Sequence, residues 1–477
     1  MSKFNGMRWL EERKTYLTLD WKPYAKSPCI FSASPPLLKE CEYAYVPRIV
    51  SIGPYHFGKK ELREMETFKG DAARREVFRI RKVTNNSQFK FEHVIDKIRS
   101  REEEIKRCYD KGTPFNGEVL LWMVGGDACF ILEFFRNHLC RLHDDDGGDG
   151  ESFQDDCGLA PKFHPIFGTE TENPGVKSEI MKDLIKLDNQ IPLFVLEDVL
   201  DMEMRDSRAE LDKLLRKVFN KFYYRPFEFC AKGASRKRSH ILDIYHHTCL
   251  GVVAPENEKE VKLNVQCSPL GCALQQYENL PIHIGRERWE EWCLKIPSAV
   301  QLRNGGVKFQ ANGKTLDDIR YEGKTLTLVR LKLDVDLEVY IRNLIALEIC
   351  SPDSEIKGMS AYCQFMYELC QTVKGVEVMR KKGVIIGNLW DSKRVSQLLS
   401  VSNLTISQPA RKSIKETRAK LSSCYKTQRS ILLTTLWNEF LKAYGSKPWM
   451  LVGGFGAFIV LFLTAIQGFC LFKDCEA

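Results

Sequence analysis

The chain has 477 residues, 44% of them apolar and 28% charged, and its formal net charge is +8. That balance excludes a disordered, collagenous or small disulfide-stapled chain, and the length allows one large domain or two to three smaller ones. Seventeen cysteines follow no framework spacing and include no C-x-x-C pair, so they read as reduced and mostly buried.

Residues 1–27 form an N-terminal extension without the apolar run of a signal peptide. From 28 to 403 the pattern is that of one large helical domain. Leu62 to Val83 and Phe89 to Tyr109 read as charged amphipathic helices, whereas Glu118 to Leu142 is far more apolar and is expected at the centre of the core. Asp127 and Glu133 in its middle argue against a membrane span, because each carries a large insertion cost. An acidic, glycine-rich stretch at 144–156 reads as a flexible loop. It does not fit an EF-hand, since counting from Asp144 the sixth and twelfth places hold Asp149 and Asp155 rather than Gly and Glu.

Helical periodicity resumes over 176–202 and 206–224. Within the first run, Asn189 and Gln190 stand in an apolar helical context, where each amide needs partners because an orphan costs about 1–3 kcal/mol. A polar lock joining helices is favoured there over a ligand site. A basic patch, KGASRKR, and a short helix at 239–249 follow. Between about 305 and 333 the texture changes. Val307, Phe309 and Ala311 alternate up to Asn312-Gly313, a hairpin turn signal, so a small antiparallel β-meander is expected. Beyond Val335 the chain turns helical again through 402.

Residues 404–448 form a basic segment in which Arg411, Lys412, Lys415, Arg418 and Lys420 could face anionic lipid, a solvated helix face being the equal alternative. From 449 to 472 there is no charge, and thirteen residues are Leu, Ile, Val or Phe. A helix of that length is about 36 Å long, enough for a bilayer core of ~30 Å. The expected fold is therefore mainly α: a large helical domain, a small antiparallel β-meander and one C-terminal transmembrane helix, with residues 473–477 as a short tail. Lysines and arginines before the apolar stretch place the bulk on the cytosolic side of the plasma membrane or an endomembrane. Gly453 and Ala457 would permit helix pairing and hence an oligomer.

No G-x-S-x-G, H-E-x-x-H, kinase signature or dinucleotide fingerprint is present. The repeated GKTL at 313–316 and 323–326 lacks the first glycine of a phosphate-binding loop. No cofactor, metal or nucleic-acid partner is expected. Two weaker chemical readings stand beside structural ones. His240, Asp243 and His247 share a helix phase and could bind a metal, though the leucine-rich context favours capping and packing. His56, in a loop bounded by Gly and Pro, could form an acid/base pair with Glu66, and a fixed turn explains it equally well.

Several stretches carry a resemblance. YVPRIVSIGPYHFGKKELREMETFK closely resembles the signature of the plant "domain of unknown function 247" family, through Pro47, Val50, Ser51, Ile52, Gly53, Pro54, Tyr55, His56, Gly58, Leu62, Met65, Glu66 and Lys69. KLDNQIPLFVLEDV is a second match, in which Asp188 stands for a more usual Glu before Asn189, Gln190, Ile191 and Pro192. LRNGGVKFQ, then IRNLIALEIC with Arg342, Asn343, Ala346 and Glu348, then KKGVIIGNL follow in family order, and Trp437, Tyr444 and Pro448-Trp449 continue it. The resemblance spans roughly 28–472. It implies a mostly helical protein of land plants with a C-terminal membrane helix and no established enzymatic activity. Some relatives are associated with pollen–stigma self-incompatibility, others with stress or defence. No catalytic residues are implied.

Pro47, Gly53, Pro54 and Gly58 read as turn architecture. Arg342 and Glu348 are too far apart for an i,i+4 pair and are expected to bind other segments. The function expected is membrane-anchored, non-catalytic recognition or signalling through an unknown protein partner. A hydrolase-like enzyme with an unrecognised site, and a scaffold at anionic membranes, are the alternatives.

Overall fold

In a computed structural model of the chain, described over residues 28–140, 174–221, 239–250, 296–313, 315–351, 358–400, 413–425 and 463–464, helices dominate. The first half contains α1 (Pro35–Tyr45), α2 (Glu64–Thr84), α3 (Phe91–Arg99), α4 (Glu102–Arg107), α5 (Gly117–Cys140), α6 (Pro174–Asp183), α7 (Leu193–Leu200), α8 (Ser207–Lys221) and α9 (Ile241–Leu250). After α10 (Ala299–Asn304) come strands β1 (Lys308–Gly313), β2 (Arg320–Glu322), β3 (Thr325–Val329) and β4 (Leu331–Lys332). Helices α11 (Leu337–Cys350), α12 (Met359–Leu369) and α13 (Val373–Lys381), strand β5 (Ile385–Ile386) and α14 (Ser392–Leu399) complete the named elements, and 413–425 is also helical.

Two helices organise the packing. The expected central helix is α5, which is surrounded by α2, α3, α7 and α8. Its Leu120, Val124, Ala128, Phe130, Ile131 and Phe135 are fully buried or nearly so. The other is α11, buried from Val339 through Glu348 and packed against α1, α9 and α12. A helix apolar on every side needs neighbours on every side, which is why both lie inside. Apolar residues from Ile30 to Leu421 join one continuous core.

Asp127, Glu133 and Arg136 are buried in α5 but each is matched. Glu133 receives Arg75 at 3.3 Å and also Arg79, while Arg136 joins Glu76 at 2.8 Å and Glu203 at 2.5 Å. This ladder of opposite charges ties α2 to α5 and to the turn after α7. Burying such charges is tolerable only because each carboxylate meets guanidinium donors or, for Asp127, the Lys69 ammonium in hydrogen-bond geometry.

Three expectations change. Among the described residues no helix is long and apolar enough to cross a membrane. The expected transmembrane part of the fold is therefore not supported: the most apolar long helix described, α5, carries buried charges and spends its apolar faces on neighbouring helices. The stretch 449–472 lies outside the described residues except for Leu463 and Thr464, as do 1–27 and the acidic loop 144–156.

The sheet is not an antiparallel meander. Its order is β1-β3-β2, with β1 parallel to β3 and only β2 antiparallel to it, and β4 pairs with β5 in parallel. Asn312-Gly313 ends β1 instead of turning it back. The tight turn is made by Gly323 and Lys324, both at positive φ (53° and 63°), as a two-residue hairpin with right-handed strand twist requires. Finally, the run 176–202 is not one helix. It is interrupted between Asp183 and Leu193, and Asn189 and Gln190 lie in the interruption. Pro192 cannot donate a backbone N–H and sets the extended entry to α7.

Candidate functional site: a buried loop held by side chains

Between α1 and the first turn of α2, residues 46–58 adopt no regular structure, yet Pro47, Val50, Ser51, Ile52, Gly53, Pro54 and His56 are buried. A buried irregular segment lacks ladder partners for its backbone N–H and C=O groups, and leaving them unmet is costly. Side chains of the interrupted segment after α6 supply what a sheet or helix would otherwise provide.

Asp183 is fully buried and its carboxylate accepts from the backbone N–H of Arg48, Ile49 and Val50, at 3.0, 2.7 and 3.0 Å. Lys186 Nζ lies 3.0 Å from the same carboxylate and donates to Val46 O at 2.5 Å. Asn189 takes over two residues further on. Its Oδ1 accepts from Ile52 N at 2.7 Å, and its Nδ2 donates to Val50 O at 3.0 Å and Asp183 O at 2.9 Å. Gly53 N donates to Asp127 of α5 at 2.7 Å, and Asp127 also meets Lys69 of α2 at 2.7 Å. Burial pushes the Asp127 carboxyl up to about 6, against the pull of Lys69.

Gln190 serves the other side. Its Nε2 donates to Leu184 O and Lys186 O, both at 2.8 Å, and its Oε1 accepts from Leu242 N of α9 at 3.1 Å. Both amides therefore lock segments together, as their burial requires, but they join an irregular loop and a helix start, not two helices. Gly53 completes the arrangement. It sits at φ +74°, and a Cβ there would lie 2.4 Å from Gln190 O. Only glycine meets both conditions without strain.

The matched stretch IRNLIALEIC is also inward. Asn343 Oδ1 accepts from Leu187 N at 2.9 Å, while Nδ2 donates to Ala44 O and Val339 O, both at 2.8 Å. Glu348 accepts from Met359 N at 2.6 Å and Ser360 N at 2.8 Å, and lies 2.8 Å from His246 Nε2. It thus caps the start of α12. Arg342 binds Glu338 at 2.9 Å and Glu40 of α1 at 3.1 Å, so it and Glu348 do serve separate segments.

The chemical alternatives are resolved differently. His56 and Glu66 are not brought together as a pair. His56 Nε2 lies 2.8 Å from Asp188 Oδ1, both nearly buried, whereas Glu66 pairs with Lys69 at 2.6 Å. The sequence reading missed Asp188 as the partner of His56; its place in the second matched stretch was the available signal. His240 Nε2 lies 2.9 Å from Cys29 O while its Nδ1 accepts from Asp243 N at 3.2 Å, so the ring is a neutral hydrogen-bonding group, and burial holds its pKa down. His247 meets Asp243 at 3.4 Å. Among the described residues no group of three or more His, Cys, Asp or Glu could hold a metal ion.

Of the basic residues expected to face lipid, Lys415 and Lys420 are exposed, while Arg411 and Lys412 lie outside the described residues. Arg418 is turned inward, 2.8 Å from Glu368 of α12, which removes it from any lipid-facing set. The reason is the helical phase: 413–425 packs Ile414, Thr417 and Leu421 onto the protein, and Arg418 shares that face.

Comparison with known proteins places these motifs in a wider group. The family model for DUF247, described as a plant protein of unknown function, matches residues 30–463. Two proteins of Arabidopsis thaliana are similar along nearly their whole length. The putative UPF0481 protein At3g02645 is 23% identical over 98% of this chain and 95% of its own. UPF0481 protein At3g47200 is 25% identical over 93% of this chain and 86% of its own. No solved structure matches.

Proposed function

We propose that this chain, which belongs to the DUF247 family of plant proteins of unknown function, is a non-catalytic recognition or signalling protein that works by binding another protein. One observation supports this reading above others. Polar residues of the matched stretches are consumed inside the protein: Asn189, Gln190, Asn343 and Glu348 each hold backbone groups of another segment. Groups engaged in this way stabilise an architecture, and the specificity of such a protein then resides on its exposed exterior.

Cross-linking and mass spectrometry on the full chain in plant cells tests the reading. It predicts a recurrent protein partner whose capture is lost on changing exposed residues at the cross-link, with the unfolding midpoint unchanged. A hydrolase-like enzyme is the second reading, favoured by one feature. His56 pairs with Asp188, and its Nδ1 is buried without a hydrogen-bond partner among the described residues. Turnover of an ester or amide substrate by the purified chain, abolished by His56→Gln in a variant that still folds, would replace the first reading with the second.

A further inference from the structure

Two cysteines far apart in sequence meet where the described chain begins. The N–H groups of Cys29 and Ile30 both donate to Cys108 O, at 3.0 and 2.8 Å, and Asp110 N donates to Ile30 O at 3.0 Å. This is a parallel bridge between Ile30 and Tyr109, which sets Cys29 opposite Cys108. Cys108 is the helical C-cap of α4, its Sγ donating to Glu104 O at 3.3 Å, and the Cys29 thiol lies in hydrogen-bond contact with it. A disulfide needs Cα atoms about 4.4–6.8 Å apart, and the two backbone bonds to Cys108 O hold the segments together beside that thiol contact. Both residues are thiols and both are only partly buried, which leaves a route for a small oxidant.

We propose that Cys29 and Cys108 form a peroxide-responsive redox site that closes to an intrachain disulfide. The Cys108 sulfur attacks hydrogen peroxide and breaks its O–O bond, giving a sulfenic acid and one water. Cys29 Sγ then attacks that sulfur and expels the hydroxyl as a second water. Two thiols lose two electrons in total, and one peroxide becomes two waters. The order of attack follows from the contact between the sulfurs. The hydrogen bond to Cys108, with burial added, pushes the Cys29 thiol far above its ordinary range, so Cys29 is assigned the second, resolving step.

The bond would fix more than two residues. Around it Ser32 N donates to Asp110 at 3.1 Å, Lys111 Nζ to Ser32 Oγ at 2.7 Å, and Tyr55 OH to Asp110 at 2.5 Å. Tyr109 OH reaches Gln190 O at 3.3 Å. Oxidation therefore pins the segment entering α1 to a turn that contacts both the buried loop and its locking amide. In the reduced protein hydrogen bonds and the core packing of Ile30 and Tyr109 hold that junction, with no covalent link.

The test is a hydrogen peroxide titration of the full-length chain, followed by alkylation and mass spectrometry of peptides under non-reducing conditions. The expected result is a linked Cys29–Cys108 peptide within one chain, formed before Cys350 and Cys424 are modified. Thermal unfolding should shift upward by several degrees on oxidation, with dithiothreitol reversing it, and Cys108→Ser should abolish both effects. Oxidation of Cys350 or Cys424 without the linked peptide overturns the proposal. So does a bond from Cys29 to any other cysteine or to a second chain. The wild-type peptide map decides the matter even if a serine variant fails to fold.

Discussion

Gly53 and Asn189 show how little freedom the matched stretches have. At Gly53 a side chain meets two separate penalties, the left-handed backbone at φ +74° and Gln190 O 2.4 Å from the added carbon. Backbone strain of this kind costs about 1–3 kcal/mol before any clash is counted. Gly53→Ala is therefore expected to destabilise by about 3 kcal/mol or more, read as a lower urea midpoint. An unchanged midpoint would mean that the loop can move away from Gln190 freely. Asn189→Ala removes an acceptor and two donor bonds at once, stranding Ile52 N and Val50 O in the interior. With about 1–3 kcal/mol for each orphaned buried group, a loss of about 3 kcal/mol is expected. Asn189→Asp should lower the urea midpoint at least as far, since its second carboxyl oxygen would face the carbonyls of Val50 and Asp183 in the interior.

Elements depend on which face the core takes up. Helix 413–425 looks in sequence like a uniformly basic cluster, but its residues divide. Lys415 and Lys420 are exposed, whereas Arg418 is buried on Glu368. Removing one partner of a buried ion pair costs about 3–5 kcal/mol, while exposed lysines away from special features change stability by less than about 0.5 kcal/mol. Arg418→Ala should thus lower the unfolding midpoint sharply, and Lys420→Ala should leave it in place. Equal effects from both would refute the inward orientation of Arg418.

Element types were readable where periodicity was strong and local. The amphipathic stripes forecast α2 and α8, and the apolar run forecast α5 at the centre. Two local signals misled for a physical reason. Asn312-Gly313 is well suited to a tight turn, but β1 takes β3 as a parallel partner, and parallel strands cannot be joined by two residues. The 176–202 pattern stayed apolar through its interruption because the interrupting residues are themselves buried, and burial alone does not distinguish helix from loop.

At the scale of the whole molecule, the buried charges make stability depend on pH. Burial, reinforced by Glu76 and opposed by Arg136, pushes the Glu203 carboxyl up to about 8. Its unfolded counterpart titrates near about 4.3. A carboxyl with a raised folded pKa binds more protons folded than unfolded across that window, so its contribution is full at low pH and is lost as pH rises through about 8. Asp127 acts the same way up to about 6. Burial lowers His240, which has the opposite sign: its contribution is present above about 6.5 and lost as pH falls. The melting temperature should therefore decline between pH 6.5 and 8.5, and Glu203→Gln should flatten that decline. A rise over the same range in the wild type would contradict the burial of Glu203 beside Glu76.

The amino-acid sequence determined the helical class, the central helix and the family, since these rest on periodicity, composition and ordered motifs that need no knowledge of contacts. It also required Asn189 and Gln190 to find partners, because buried amides must. Which partners they found, that His56 meets Asp188 and not Glu66, that β1 lies parallel to β3, and that Cys29 faces Cys108 were decided by the tertiary structure alone. Each joins residues distant along the chain, and only the packing of the core fixes the distance between them.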